Sequence, residues 1–263
     1  MPTPPTTSLH HQIRGHGPRL VLAHGFTQTG RLWGTMDDQL TSDHQVVQVD
    51  MPGHGDSARI GATLVDGALG LVDVGGRATY VGYSMGARFC LHAALARPDA
   101  VDALVLISGT AGIDDDDERR ARRNSDRALA DRLDPPEASP EPPVPLEAFL
   151  RQWMAQPMFS NLGPDAGGIQ ERLRNTGPGL ASSLRLAGTG TQRPLWGLLG
   201  RLSMPVLVVT GEEDSKFTAL GARMVAVIGA NAEHVLIPGA GHAPHLEHPR
   251  SVATLIRSLP PPE

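Results

Sequence analysis

Gly82-Tyr83-Ser84-Met85-Gly86 places one serine between two glycines, the G-x-S-x-G pattern of a nucleophile elbow. A serine hydroxyl is a poor nucleophile or base until a histidine takes its proton and an acid orients that histidine. Both stand downstream, in Gly211-Glu212-Glu213-Asp214 and Gly239-Ala240-Gly241-His242, giving the chain order Ser84, Asp214, His242. Glu212 and Glu213 share the loop with Asp214, which is preferred as the residue farthest from the preceding strand. His245 and His248 lie just beyond His242. The latter is preferred because it follows a Gly-x-Gly turn, whereas His248 reads as a helix start before Pro249. His24-Gly25-Phe26 supplies a further part: the backbone N–H groups of Phe26 and Met85 would form an oxyanion hole around an oxygen gaining negative charge. No His, Cys and carboxylate cluster with ligand spacing occurs outside the triad, so no metal is expected.

These residues must be carried by an ordered framework. Short apolar, β-branched runs at 20–23, 45–50, 78–83 and 101–108 predict strands, and helical patterns at 31–40, 63–74 and 85–97 lie between them. Such alternation implies a parallel sheet with helices on both faces. The rhythm breaks at Ala111. There follow a charge run over 114–127, six prolines between Pro135 and Pro145, and an apolar stripe of Leu146, Phe149, Leu150, Trp153 and Met154 that predicts a helix over 146–159. Strands at 205–210 and 234–237 and helices at 217–228 and 249–259 then resume the pattern. The proline stretch could link two domains, but neither flank has enough strands to close a sheet alone.

The expected division is a core of 1–110 and 201–263 interrupted by a helical cap of 111–200. Asp50-Met51-Pro52-Gly53-His54-Gly55-Asp56-Ser57, after the second strand, reads as a tight turn in which His54 is structural. Four motifs in order at the ends of four strands predict the α/β-hydrolase fold: a mostly parallel sheet, helices on both faces and an inserted helical cap. A serine at the elbow argues against aspartate-nucleophile dehalogenases and epoxide hydrolases.

Composition narrows the partners. With 263 residues, 40% hydrophobic, the chain can bury a sizeable core. A net charge of -5 offers no basic face to nucleic acid. No run approaches the ~18 apolar residues of a membrane span, and the start lacks a basic segment followed by an apolar run. Cys90, the single cysteine, cannot form an internal disulfide. A cytoplasmic protein without membrane insertion is expected. Of 23 basic residues 22 are arginine and one, Lys216, is lysine, so an arginine here is weaker evidence for carboxylate binding than usual.

Gly82 to Arg88, the insertion stretch Glu118 to Arg127, and Gly211 to Phe217 together resemble the 2-succinyl-6-hydroxy-2,4-cyclohexadiene-1-carboxylate synthases of menaquinone biosynthesis. Partial matches at Trp153 to Phe159, Leu173-Arg174-Asn175 and Ala240-Gly241-His242 extend the resemblance over nearly the whole chain. It implies a cofactor-free lyase that removes a proton beside a succinyl ketone and expels pyruvate, rather than a hydrolase. It also implies that Arg88, Arg122 and Arg174 bind carboxylates of a small polycarboxylate substrate, with Tyr83 and Trp153 lining the pocket. The alternative is a serine hydrolase acting on a carboxylic ester or a diketone carbon-carbon bond. Two departures stand out: Ala87 occupies a position where a second glycine is common, and the stretch 134–145 is longer than usual.

Overall fold

The computed structural model describes residues 8–163 and 165–260. The first seven residues, most of the stretch read for a targeting signal, lie outside the described residues. The chain runs β1 (His11–Arg14), β2 (Arg19–Ala23), α1 (Met36–Leu40), β3 (Gln45–Val49), α2 (Leu64–Gly75), β4 (Ala78–Tyr83), α3 (Met85–Ala96) and β5 (Val101–Ile107). Four helices follow without an intervening strand, α4 (Asp116–Leu133), α5 (Leu146–Met154), α6 (Ile169–Arg172) and α7 (Gly177–Ala187), in the segment expected to form the cap. The core resumes with β6 (Val206–Gly211), α8 (Ser215–Ile228), β7 (Ala232–Ile237), α9 (Pro244–Glu247) and α10 (Pro249–Arg257).

One seven-stranded sheet, ordered β1-β3-β2-β4-β5-β6-β7, takes strands from both sides of the proline stretch, which therefore does not separate two sheets. Every pairing is parallel except β1 with β3. Residues of alternating parity along β2, β4 and β5 face opposite layers, so the sheet is buried on both sides. Val21, Tyr80 and Leu104 pack on one side, while Leu22, Val81 and Val105 pack on the other. A third apolar cluster, including Leu133, Phe149, Leu150, Leu180 and Leu184, holds the cap helices together. No described helix is long and apolar enough to cross a membrane.

Three local expectations need correction. The helix expected over 31–40 shortens to α1, because Gly34 takes a left-handed φ of 66° that interrupts the spiral. The helix expected over 146–159 ends at Met154, with a separate 3-10 turn at Pro157–Phe159. Proline cannot donate its missing N–H and pushes Gln156 into extended backbone, ψ 145°. Strand β1 is an edge strand of mixed polarity, His-Gln-Ile-Arg, and carries no apolar run by which it could be read.

Candidate active site

The carboxyl ends of β2, β4, β6 and β7 bring the chemical groups together. Ser84, directly after β4, has φ 50° and ψ −103°, a conformation L-residues rarely adopt. The flanking glycines make it reachable. A Cβ on Gly82 would sit 2.6 Å from the Ala87 backbone N, and one on Gly86 would overlap the Ala23 carbonyl at the end of β2. The Ser84 N–H donates to the Ile107 carbonyl at 2.8 Å, tying the elbow to β5. Ala87, where a second glycine is common, packs its methyl against Gly109, where a Cβ would come within 2.6 Å.

His242 Nδ1 lies 2.6 Å from Asp214 Oδ2, and its Nε2 lies 3.2 Å from Ser84 Oγ. The carboxylate accepts the Nδ1 proton, which leaves the Nε2 lone pair facing the hydroxyl. Asp214 is itself held, since its Oδ1 caps α8 by accepting the Phe217 N–H at 3.3 Å. The two loops interlock: a Cβ on Gly211 would overlap the Ala240 and Gly241 carbonyls. Glu247 cradles the histidine loop, accepting the N–H groups of Gly241 and Ala243 at 2.6 and 2.9 Å. The Phe217 ring packs on His242 with centroids 4.4 Å apart.

The alternatives weighed from sequence are occupied elsewhere. Glu213 accepts from Asn161 Nδ2 at 2.7 Å, and Glu212 accepts the Gly239 N–H at 3.1 Å. His245 is fully buried between Tyr83 and Trp33, and burial pushes its imidazole down to about 3. His248 is the residue before Pro249 at the start of α10.

The oxyanion loop rests on two buried neutral histidines. His24 Nε2 accepts the Met51 N–H at 3.0 Å, and His54 Nε2 accepts the Thr27 N–H at 3.3 Å. Burial pushes their imidazoles down to about 4 and about 3, which keeps these nitrogens available as acceptors. His24 Nδ1 bonds the Gly25 carbonyl at 2.8 Å and the Phe26 ring packs edge-on to His54, centroids 5.6 Å apart, with Thr27 held at φ 68°. The N–H groups of Phe26 and Met85 meet no acceptor among the described residues. They are free for an anionic oxygen.

A cavity of about 870 Å³ opens over Ser84 and His242 and is lined by Phe26, Met85, Arg88, Arg122, Trp153 and Asp214, among others. That is roomy enough for a small polar ligand. Arg88 is buried and gives Nη1 to the Ala187 carbonyl at 2.8 Å, with no carboxylate partner among the described residues. Burial first, and then the Arg122 charge, pull its guanidinium down to about 10. Arg122, which lines the cavity, gives Nε to Asp126 at 2.7 Å, and its terminal nitrogens bond no protein group among the described residues.

Arg174 falls outside. Its guanidinium pairs with Asp56 at 3.5 Å and Glu171 at 3.3 Å and lines neither cavity. Two residues earlier, Arg172 lies beside the site. Only 2% exposed, it lines a recess of about 30 Å³ together with Tyr83, Ser84, Trp153 and His242. It donates Nε to the Gly167 carbonyl at 2.6 Å and Nη1 to Thr27 Oγ1, and meets no carboxylate among the described residues. Burial pulls its guanidinium down to about 10. Arg172, Phe217 and the cavity-lining Lys216 were not singled out from sequence, although the last two stand inside the quoted Gly211 to Phe217 stretch.

The profile of the alpha/beta hydrolase family matches residues 20–255. The 2-succinyl-6-hydroxy-2,4-cyclohexadiene-1-carboxylate synthase of Escherichia coli O1:K1 / APEC is 33% identical, over 95% of this chain and 98% of its own length. The chain belongs to this synthase family of alpha/beta hydrolases. The Enterobacter sp. (strain 638) synthase is 32% identical over 92% of this chain and 91% of its own. The structure of MenH from S. aureus superposes with a TM-score of 0.84 at 29% identity, covering 94% of this chain and 96% of that one. Membership thus extends through the cap, the part of this fold that varies most.

One further group emerged from the structure. Ligand atoms of His10, Asp50 and Asp56 lie within 4.8 Å of one another, brought together by the β1–β3 pairing. Asp50 already accepts the N–H groups of Gly30 and Asp56 at 2.7 and 2.9 Å, and Arg174 stands beside Asp56. These donors fit a hydrogen-bonded turn better than a metal centre.

Proposed function

We propose that this chain carries out the synthase reaction of its family, a cofactor-free step of menaquinone biosynthesis in which pyruvate is eliminated from a succinyl-cyclohexene polycarboxylate. The observation that carries the reading is electrostatic. A serine-histidine-aspartate array opens onto two buried guanidiniums without carboxylate partners, Arg88 and Arg172, and a third, Arg122, whose fork is partly free. Holding cations this way is costly in an empty protein and favourable once carboxylates arrive.

In the reaction the C–H bond beside the succinyl ketone breaks. Its proton passes to Ser84 Oγ as the serine proton moves to His242 Nε2, and Asp214 stabilises the imidazolium. The electron pair moves onto the ketone oxygen, which the Phe26 and Met85 N–H groups stabilise as an enolate. Its collapse forms the ring double bond and breaks the C–O bond to the pyruvate leaving group, and the proton held on His242 returns to the departing enolate. Arg88, Arg122 and Arg172 hold carboxylates, while Tyr83 and Trp153 shape the wall. The reading replaces Arg174 by Arg172. A soluble polycarboxylate substrate and the buried, unpaired Cys90 support a cytoplasmic location.

The test is pyruvate release from the pathway intermediate, measured beside hydrolysis of a simple aryl ester. In Arg88→Ala and Arg122→Ala, pyruvate release is expected to lose about 2 to 5 kcal/mol of transition-state stabilisation, with ester hydrolysis largely retained. Ester turnover with no pyruvate release in the parent protein would establish the serine hydrolase reading instead.

A further inference from the structure

On α4, a helix of eighteen residues rich in charge, Asp126 is the one buried charged side chain, at 1% exposure. Oδ1 accepts Arg122 Nε at 2.7 Å, one helical turn earlier. Oδ2 accepts the Gly190 N–H at 3.0 Å, from the 3-10 turn Thr189–Thr191 that follows α7. Ala187, the last residue of α7 just before this turn, supplies the carbonyl that holds Arg88 Nη1. One carboxylate therefore touches Arg122 directly and is tied to the support of Arg88.

Two glycines allow this contact. A Cβ on Gly188 would lie 2.7 Å from Asp126 Oδ2, and one on Gly190 would lie 2.5 Å from the Arg123 Cα on α4. Gly188 has an ordinary φ of −57°, so close approach rather than backbone freedom requires its missing side chain. The turn is pressed onto the helix at the level of Arg122 to Asp126.

Stability alone does not call for a carboxylate here. A buried ion pair is commonly no better than a well-packed apolar pair. What the carboxylate does supply is direction: Nε is engaged, and the two terminal nitrogens of this cavity-lining arginine bond no protein group among the described residues, which leaves them for a ligand.

We infer that Asp126, seated by the Gly188–Gly190 turn, is a positioning residue for carboxylate binding, orienting Arg122 directly and Arg88 through the Ala187 carbonyl. This rests on the reading that the two arginines receive substrate carboxylates.

The experiment is a pair of double-mutant cycles, Asp126→Asn with Arg122→Ala and Asp126→Asn with Arg88→Ala. Each is read by kcat/KM for pyruvate release and by calorimetric Kd for propane-1,2,3-tricarboxylate. Asp126→Asn alone is expected to weaken both by more than about 10-fold, and to cost at least about 3-fold less when added to Arg122→Ala or to Arg88→Ala than it does alone, with the larger coupling to Arg122, the arginine it touches. Arg123→Ala, which removes the other tie between α4 and the turn, the Arg123 Nε bond to the Gly190 carbonyl at 3.2 Å, is expected to stay within about 3-fold of the parent. Should Asp126→Asn fold poorly by circular dichroism, Asp126→Ala takes its place in the cycle. Additive losses, an Arg123→Ala loss matching that of Asp126→Asn, or a parent that binds no tricarboxylate would each overturn the inference. A parent that binds tricarboxylate with the expected coupling but releases no pyruvate removes the proposed reaction and leaves Asp126 standing.

Discussion

Replacing Arg172 by methionine should separate activity from stability in opposite directions. The side chain is buried, meets no carboxylate among the described residues, and faces the recess beside Ser84 and His242. If a substrate carboxylate pairs with it there, truncation leaves that carboxylate buried and unpaired, a loss of about 2 to 5 kcal/mol in transition-state binding. This corresponds to roughly 30- to 4000-fold in kcat/KM. The cost to the empty fold is far smaller. Lowering of the guanidinium from its ordinary value to about 10 represents roughly 3 kcal/mol held against the charged form, with burial as the cause. Set against it are two hydrogen bonds, to the Gly167 carbonyl and Thr27 Oγ1, of about 1.5 kcal/mol each for a charged donor. The two nearly cancel.

Arg172→Met should therefore unfold in urea within about 1 kcal/mol of the parent, with kcat/KM for pyruvate release lowered by about 30-fold or more. Arg174→Met is the control. Its pairs with Asp56 and Glu171 are at the surface, where such contacts contribute about 0 to 1 kcal/mol, so less than about 5-fold should be lost. Pyruvate release is followed by coupling to lactate dehydrogenase, beside aryl ester hydrolysis. Equal losses in the two arginine variants would refute the placement of Arg172. Parallel loss of both activities in Arg172→Met would show instead that it serves Thr27 and the oxyanion loop.

Ser84→Ala, His242→Ala and Asp214→Asn should each lower kcat by about 1000-fold or more with unchanged urea midpoints, because the three act as one unit. Glu213→Gln should cost little by comparison, since its carboxylate holds Asn161; the reverse ranking would move the acid. Dialysis against a strong chelator should leave pyruvate release intact, and a loss restored by zinc or magnesium would mark His10, Asp50 and Asp56 as a working site. Acid should destabilise the fold from pH 6.5 downward. His24, His54 and His245 are held near 4, 3 and 3 by burial, so the unfolded chain binds the extra protons. Stability is full above about pH 6.5 and falls by roughly 2 kcal/mol per histidine by pH 5. A urea midpoint that does not move between pH 7.5 and pH 5 would contradict their neutrality.

What the sequence disclosed, and what it hid, follows from the range of the interactions concerned. Four central strands could be read because a strand buried on both faces must be largely apolar, and β2, β4, β5 and β6 are such runs. β1 was missed because its residues, His-Gln-Ile-Arg, include a single apolar one, whereas β7, the other edge strand, still carries the run Val235-Leu236-Ile237. The elbow could be read because steric demands at Gly82 and Gly86 are met by the crossing of chain segments that every sequence with this turn must arrange. Residues that stand in fixed relation to a strand end, such as Ser84, Asp214 and His242, inherit the same clarity.

Cap residues have no such anchor. α6 is a four-residue helix entered from Gly168 in the left-handed region, too short for any apolar period to mark its inner face. Arg172 and Arg174 lie two positions apart, about 200° around a helix, so one turns inward when the other turns out. The sequence alone offers two arginines and no phase. The phase comes from contacts distant along the chain. Thr27 and the Gly167 carbonyl draw Arg172 inward, while Asn175 accepts the Gly55 N–H and donates to the Thr27 carbonyl, fixing the following turn. Arg174 is left facing Asp56. Asp126 was hidden for the same reason: within a run of alternating charges it looks like one more member of a solvated helix. Only the approach of Gly188 and Gly190, more than sixty residues away, makes it the buried one. The strand ends obey local rules, whereas the burial of Arg172 and Asp126 is set by contacts far along the chain.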